Sequence, residues 1–230
     1  MTDPLLVTKP FLPPLEEILP ELERIWATGN LTNNGELHLK LERALAEYLN
    51  VPYVSLFCNA TTALMAAQKA LNLTGDFITT PYSFVATTHA FSWTGMRPIF
   101  VDVRRDCMTI DPSKIESAIT PATPAIVPVH CYGNTCDVEA IKYIAEKHDL
   151  KIIYDACHSF GIDDGDGSAL RHGDFSVVSF HATKVFNTFE GGMVVSPSAA
   201  QKKRVDLLKN FGFVDETTVD AIGIKGKRSE

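Results

Sequence analysis

The sequence predicts an α/β protein in which a mostly parallel β-sheet is flanked by helices. From about residue 53 to residue 210, short apolar runs alternate with longer amphipathic segments, which is the pattern of β-α-β units. In the segment 138–148, Val138, Ile141 and Ile144 recur at helical spacing, so this helix is expected to pack on the sheet. With 230 residues, the chain is long enough to form one large domain.

Two helices are expected before the sheet, at 15–26 and at 36–49. Gly29 and Asn30 end the first helix, and leucines recur on one face of the second. The strands predicted from apolar runs are 53–57, 77–80, 98–103, 125–130, 151–154, 176–180 and 192–196. The helices predicted between and after these strands are 61–71, 84–93, 138–148 and 199–210.

Composition and charge argue against several classes of function. A formal net charge of −7, with basic residues only in short clusters, argues against nucleic-acid binding. Five cysteines without a Cys-x-x-Cys pair favour a reducing compartment and predict neither a zinc site nor a disulfide framework. The sequence shows no signal-peptide pattern and no apolar run long enough to span a bilayer. A cytoplasmic protein without membrane contact is therefore expected.

Two charged residues stand where predicted strands stop. Lys184 follows the apolar run 177–180, and Asp155 ends the run 151–154. Because open α/β sheets bind ligands at the carboxyl ends of their strands, the two side chains are candidates for one site. A lysine that can form a Schiff base and a carboxylate that can pair with a pyridinium nitrogen indicate pyridoxal 5′-phosphate (PLP) chemistry. Taken alone, however, most lysines are exposed surface residues.

Other residues at strand ends are suited to a phosphate or a flat ring. The turn that contains Asn59, Ala60 and Thr61 begins a helix, where free N–H groups and the helix dipole attract anions. Plain N-capping is the commoner explanation of such a turn. Ser179 is a further candidate phosphate ligand, and Phe84 is a candidate for stacking on a ring, although aromatic residues more often pack in the core.

The histidines allow a second interpretation. His158 lies three positions after Asp155 and can donate to the cofactor's phenolic oxygen, but it can equally be a core histidine. Together with His130 and His181, the same residues could instead form a metal-dependent hydrolase site. That alternative explains the histidines and leaves Lys184 without a role. A non-catalytic protein of the same fold is a third alternative, for which the lysine would not be needed.

At these residues the sequence resembles the nucleotide-sugar aminotransferases of the DegT/DnrJ/StrS type, which are PLP enzymes of the aspartate aminotransferase fold (fold type I). The segment 179–184 reads SFHATK and matches the family's Ser-Phe-His-x-x-Lys motif, and the glycine pair of 190–192, EGG, follows downstream. The segment 155–161, DACHSFG, matches the family's Asp-Ala-Ala-(His/Gln) motif. The segment 31–35, LTNNG, matches an early loop on the substrate side.

The resemblance implies a role for each matching residue. Lys184 would form the Schiff base and shuttle protons, Asp155 would bind the pyridine nitrogen, and His158 would lie near the phenolic oxygen. The other cofactor contacts would come from Ala60, Thr61 and Ser179 at the phosphate, from Asn59 beside them, and from Phe84 on the ring. The residues implied near the substrate are Thr32, Asn33 and His181. No metal is implied.

The resemblance also implies a reaction in two halves, in which an amino donor, usually glutamate, supplies the nitrogen that is passed to a keto sugar carried on a nucleotide. The segment 182–192, ATKVFNTFEGG, and His158 are most similar to members that aminate C4 of dTDP-4-keto-6-deoxyglucose. Such members serve O-antigen and lipopolysaccharide synthesis. A 3-keto sugar is the alternative substrate, and a homodimer with a shared active site is expected.

Family members usually continue into a smaller C-terminal domain. The chain is therefore expected to form the PLP-binding large domain, 1–230, with an N-terminal arm at 1–35 and without the small domain. An inactive truncated protein is an alternative that follows from this expectation. Lys225 and Arg228 stand where the family usually carries asparagine and methionine. That asparagine helps bind the phosphate of the neighbouring subunit's cofactor, and a lysine would meet the phosphate with a different geometry.

Overall fold

The computed structural model describes residues 5, 6 and 8–230, and it confirms the α/β fold. In these residues, seven strands form one sheet: β1 (Tyr53–Phe57), β2 (Asp76–Thr79), β3 (Arg97–Phe100), β4 (Ala125–Ile126), β5 (Lys151–Asp155), β6 (Phe175–Ser179) and β7 (Gly192–Ser196). Their order across the sheet is β1-β7-β6-β5-β4-β2-β3. Neighbouring strands are parallel except at β7, which runs antiparallel to both β1 and β6.

The α-helices are α1 (Leu15–Thr28), α2 (Glu36–Tyr48), α3 (Ala60–Ala70), α4 (Ala86–Trp93), α5 (Val138–His148) and α6 (Ala199–Lys209). Side chains that accept a backbone N–H fix the starts of three of them: Asn59 for α3, Asp137 for α5 and Ser198 for α6. In the described part of the chain, no helix is long and apolar enough to cross a bilayer.

The strand predicted at 125–130 is too long, whereas β1, β7 and α5 have the predicted bounds. Only Ala125–Ile126 forms a regular ladder, because Pro128 has no N–H to donate to a neighbouring strand. Beyond it, Val129 pairs with Asp155 in an isolated parallel bridge. The chain therefore still runs beside the end of β5, in an irregular conformation. The other elements begin and end within a few residues of the prediction.

Apart from the edge strand β3, both faces of the sheet are largely buried, which explains why its strands read as continuous apolar runs. On one face, Phe57 and Phe77 belong to a cluster with apolar residues of α3, α4 and α6. On the other face, Ile78 packs with residues of α5, and Leu56 and Val178 pack with residues of α2. Helices on both sides thus hold the strand ends in fixed positions.

A buried ionic cluster joins α2 to β1 and α6. The Glu42 carboxylate, 11% exposed, accepts the Leu56 N–H at 2.9 Å. It also accepts hydrogen bonds from Lys202 Nζ at 3.0 Å and from Lys209 Nζ at 3.3 Å. His38 Nε2 lies 3.3 Å from the same carboxylate. Burial alone would raise the pKa of Glu42, but the nearby imidazole and the two ammonium groups outweigh it and hold the pKa well below its usual range.

Replacing Glu42 with alanine is expected to lower the free energy of unfolding by about 2–4 kcal/mol, because it takes one of two carboxylate partners from Lys209, which is 3% exposed. Glu116→Ala removes an exposed ion pair with Lys147 and is expected to cost less than about 1 kcal/mol. Urea unfolding measures both variants.

The loss of unfolding free energy in Glu42→Ala should depend on pH. Because the pKa of Glu42 is lower in the folded chain than in the unfolded one, its contribution is complete above about pH 5 and is lost as the pH falls. The difference between wild type and Glu42→Ala should therefore shrink towards pH 3. A difference that is equal at pH 7 and pH 3 would contradict the charged cluster.

Candidate active site

A cavity of about 600 Å³ lies at the edge of the sheet where its parallel strands end. The carboxyl ends of β1, β2, β5 and β6 meet at this edge, and β7 begins there. Nine of the residues predicted for a site line the cavity: Asn59, Ala60, Thr61, Phe84, Asp155, His158, Ser179, His181 and Lys184. The fold therefore brings together residues that are far apart in the sequence.

Asp155, the last residue of β5, is only 5% exposed. Its Oδ2 accepts the hydroxyl proton of Thr87 at 2.6 Å, and its Oδ1 accepts the N–H of Cys157 at 3.1 Å. These donors hold the carboxylate in one orientation, but no basic side chain of the described residues forms an ion pair with it. A buried carboxylate with donors and no counter-ion fits a site for a cationic ring nitrogen.

Thr87, which lies in the first turn of α4 and is buried, was not predicted from the sequence. Its Oγ1 lies 2.6 Å from Ser83 Oγ. Because Thr87 donates its only hydroxyl proton to Asp155, it must accept this bond from Ser83. A helix that begins at a strand end and carries a threonine on its buried face would have been the signal for such a residue.

The start of α3 forms the second end of the cavity. Asn59 caps the helix, since its Oδ1 accepts the Thr62 N–H at 2.9 Å. The N–H groups of Ala60 and Thr61 lie in the first helical turn, where no intrahelical acceptor exists, and both residues line the cavity. Ser179 Oγ accepts the His181 N–H at 3.3 Å, which leaves its own proton free to donate. These donors fit a phosphate group.

Gly192 allows β7 to pass close to the start of α3. A Cβ atom at this position would lie 2.7 Å from Ala60 N and 2.9 Å from Ala60 Cα. Any side chain at 192 would therefore push the helix start away from β6, which carries Ser179. The glycine pair noted in the sequence thus has a steric function next to the phosphate-binding donors.

Lys184 lies in the turn that follows β6, and its N–H donates to His181 O at 2.9 Å. Its side chain is partly exposed and lines the cavity. At the rim, His181 Nδ1 lies 2.8 Å from Thr183 Oγ1, and His181 Nε2 lies 3.5 Å from Glu190 Oε1. The lysine is therefore neither in the core nor an isolated surface residue.

His158 lies at the cavity wall and contacts the turn that follows β4. Its Nδ1 accepts the Tyr132 N–H at 3.2 Å, and the two rings are stacked with centroids 5.7 Å apart. Burial and the nearby Lys184 ammonium lower the pKa of His158, and the Asp155 carboxylate opposes them. The sequence did not single out Tyr132, although it stands at a predicted strand end.

Phe84 and Tyr82 form an aromatic wall of the cavity. Phe84 is 72% exposed, so the alternative of core packing is wrong for this residue. Tyr82 donates a hydroxyl hydrogen bond of 3.4 Å to Tyr132, and their rings meet edge to face. An exposed aromatic ring at a cavity that also holds anion-binding donors fits a flat, phosphorylated cofactor.

Four residues of interest in the sequence do not line this cavity. Thr32 and Asn33 lie in the segment before α2, where Asn33 Oδ1 accepts a hydrogen bond from Lys227. Lys225 is exposed and pairs through its backbone with residue 210, while Arg228 donates to Thr188 O at 3.2 Å. The roles of these residues towards a substrate or a second subunit stay predictions.

His130 belongs to the core and not to the cavity. It is fully buried, its Nδ1 accepts the Cys136 N–H at 3.1 Å, and its ring stacks on Tyr154. Burial lowers the pKa of His130 to about 4. Across the described residues, no three His, Cys, Asp or Glu side chains form a group that could hold a metal ion. The geometry therefore gives no support to the hydrolase alternative.

Comparisons with known proteins agree with this fold. The chain is 58% identical over its whole length to a dTDP-4-amino-4,6-dideoxy-D-glucose transaminase of Shigella dysenteriae, of which it covers 63%. The structure of DesI with its TDP-sugar product superposes with a TM-score of 0.95 and 36% identity, covering all of this chain and 58% of that one. The structure of NtdA from Bacillus subtilis with its bound cofactor PMP superposes with a TM-score of 0.87 and 32% identity. The match covers all of this chain and 55% of that one.

The chain thus spans about three fifths of the length of the relatives that it matches. The family pattern that matches covers residues 15–230. Its description, an aminotransferase family, agrees with the fold described above. The chain belongs to the DegT/DnrJ/EryC1/StrS aminotransferase family.

Proposed function

We propose that the protein binds PLP in this cavity and transfers an amino group to a keto sugar carried on a nucleotide. The main support for the proposal is that Lys184, the buried Asp155 carboxylate and the uncovered start of α3 all line one cavity. Family membership and the name of the 58% identical relative support the same reaction class. When bound, PLP supplies an electron-withdrawing ring that stabilises negative charge on the carbon next to the transferred nitrogen.

Different residues of the chain would bind different parts of the cofactor. Asp155 would bind the protonated ring nitrogen, because Thr87 and Cys157 each donate to one carboxylate oxygen and orient the group without neutralising its charge. The N–H groups of Ala60 and Thr61 and the Ser179 hydroxyl would bind the phosphate, with the α3 dipole adding to the attraction. Phe84, at the cavity wall, would stack on one face of the ring.

Lys184 is the residue that would react with the cofactor. Its Nζ would be the attachment point of the cofactor and, once released from it, would move the proton that transamination requires. The turn of 181–184 holds the lysine at the carboxyl end of β6, on the same sheet edge as Asp155. His158, through its contact with Tyr132, supplies a further polar group beside the ring.

The substrate that we propose is dTDP-4-keto-6-deoxyglucose, with glutamate as donor and the 4-amino sugar as product for surface polysaccharides such as O-antigen. The 58% identical relative is named as a transaminase of this 4-amino sugar, and DesI binds a TDP-sugar product. The enzyme would act in the cytoplasm, where nucleotide sugars are found. Amination of a 3-keto sugar is the second candidate, because a 35% identical relative of Bacillus subtilis is named as a 3-oxo-glucose-6-phosphate:glutamate aminotransferase.

A homodimer is the expected assembly, and α1 supports it. Leu15, Leu19, Leu22 and Trp26 lie on one face of this helix, and α1 has no buried residue. The adjoining arm touches the loop after Lys184, since an asparagine of that loop donates to a backbone carbonyl of the arm at 3.1 Å. A second copy that covers the apolar face would therefore lie beside the cavity.

Leu19→Asp combined with Trp26→Asp is expected to convert a dimer into a monomer, because two charges would be buried in the interface. Glu17→Lys lies on the opposite face of α1, is exposed, and should leave the dimer intact. Light scattering after size-exclusion chromatography measures the mass. A wild-type monomer, or a dimer that survives the double substitution, would contradict a homodimer formed through α1.

The central test of the function uses Lys184→Ala with Lys203→Ala, an exposed lysine of α6, as its control. Wild type and control incubated with PLP should show an absorbance band at the edge of the visible range that borohydride abolishes, and Lys184→Ala should lack this band. Transamination of dTDP-4-keto-6-deoxyglucose, followed by mass spectrometry, should fall by at least about 100-fold in Lys184→Ala alone.

The outcomes separate the alternatives. A band without activity in the wild type would favour an inactive truncated chain, and activity on a 3-keto sugar alone would favour the second candidate. The proposal fails if the wild type shows no band.

A further inference from the structure

Tyr132 adopts a backbone conformation that its own type disfavours. Its φ of 55° and ψ of 24° lie in the left-handed region, where an aromatic residue is strained. The side chain is 71% exposed, so core packing does not explain the strain. Strain of this kind persists where surrounding contacts impose it, and here it lies on the wall of the cavity.

The contact that this conformation makes is with His158. The Tyr132 N–H donates to His158 Nδ1 at 3.2 Å. A ring nitrogen that accepts a hydrogen bond carries no proton, so a neutral His158 must carry its proton on Nε2. Nε2 has no hydrogen-bond partner among the described residues, and the imidazole lines the cavity. The contact therefore turns the imidazole into a single-proton donor towards the cavity.

Two further contacts fix the plane of the imidazole. The Tyr132 and His158 rings are stacked within 4° of parallel. The Tyr132 ring is in turn held by Tyr82, whose hydroxyl donates to the Tyr132 hydroxyl at 3.4 Å. A Cβ added at Gly133, the next residue, would lie 3.4 Å from His158 O, at about van der Waals distance. The turn thus lies beside the His158 backbone as well as its ring.

We infer that Tyr132 is a positioning residue, whose strained turn fixes His158 as the Nε2–H tautomer and aims that single donor at an oxygen of the bound cofactor. The inference rests on the proposed function for the identity of the acceptor, but the tautomer itself is a property of the chain. A fixed donor favours an oxygen that carries negative charge and cannot serve a group that needs an acceptor.

The charges around His158 favour the neutral ring. Burial lowers its pKa, and so does the Lys184 ammonium from the turn after β6, while the Asp155 carboxylate at the end of β5 acts in the opposite direction. From the turn after β4, Tyr132 presents only an N–H, which a protonated Nδ1 could not accept. At neutral pH the ring therefore has one proton and one arrangement.

Two substitutions of Tyr132 separate its backbone from its ring. Glycine keeps the N–H and adopts a positive φ without strain, but it removes the stacked ring. Valine also keeps an N–H, but its branched Cβ disfavours the left-handed region and should move the N–H away from His158. Tyr132→Phe removes only the hydroxyl contact with Tyr82.

The readout is ¹⁵N NMR of the His158 ring in the cofactor-free protein, assigned by comparison with His158→Gln. In the wild type, Tyr132→Phe and Tyr132→Gly, Nε2 should be protonated and Nδ1 unprotonated at neutral pH. In Tyr132→Val both tautomers should be present, and the His158 pKa should rise. Thermal unfolding shows whether the valine variant is folded; if it is not, an Nδ1–H tautomer in the wild type or in Tyr132→Gly still overturns the inference.

Cofactor affinity gives a second readout by absorbance titration with PLP. Tyr132→Val should bind about tenfold more weakly than the wild type, and Tyr132→Gly within about threefold. His158→Gln, whose amide can donate from near the Nε2 position, should keep most of the affinity, and His158→Asn should lose about tenfold.

An Nδ1–H tautomer in the wild type, or an unchanged tautomer in a folded Tyr132→Val, would overturn the inference. The expected tautomer pattern combined with no PLP binding would overturn the proposed function and confine the role of Tyr132 to the tautomer.

Discussion

The buried carboxylate of Asp155 imposes the main constraint on this molecule. A carboxylate that is 5% exposed is costly unless donors and a counter-charge surround it. The chain supplies the donors from Thr87 and Cys157, which requires α4 to begin against the end of β5. It supplies no ion-pair partner among the described residues, so a cationic ring nitrogen in the cavity would complete the site.

The sheet topology places the rest of the site around that carboxylate. Because β1, β5 and β6 are parallel, the start of α3, Asp155 and Ser179 lie on one edge. The antiparallel β7 returns between β1 and β6, and Gly192 lets it pass within contact distance of Ala60. Far from the chemistry, the Glu42 cluster fixes α2 to β1 and α6 and so stabilises the frame that holds α3. Binding geometry and stability thus depend on different charged groups.

The sequence predicted the fold class and most of the cavity because both depend on local patterns. Apolar runs locate strands that are buried on both faces, and polar residues at their ends locate Asp155, Ser179 and Lys184. It did not predict Thr87 or Tyr132, since their roles come from contacts across the fold: a hydroxyl that meets a carboxylate from another element, and a strained N–H that meets a histidine. The apolar run also predicted a strand that continues to residue 130, whereas the regular ladder ends before Pro128.

The role of the Asp155 carboxylate is tested most directly by the dissociation constant of PLP. Absorbance titration measures it for the wild type, Asp155→Asn and Thr87→Val. Asparagine keeps the shape of the aspartate and removes its charge, so binding should weaken by about 2–4 kcal/mol, or roughly 30- to 1,000-fold. Thr87→Val removes one hydrogen bond to that charge and should weaken binding about tenfold. Asp102→Asn, an exposed aspartate outside the cavity, should bind as the wild type does. Equal affinity of Asp155→Asn and the wild type would contradict the account.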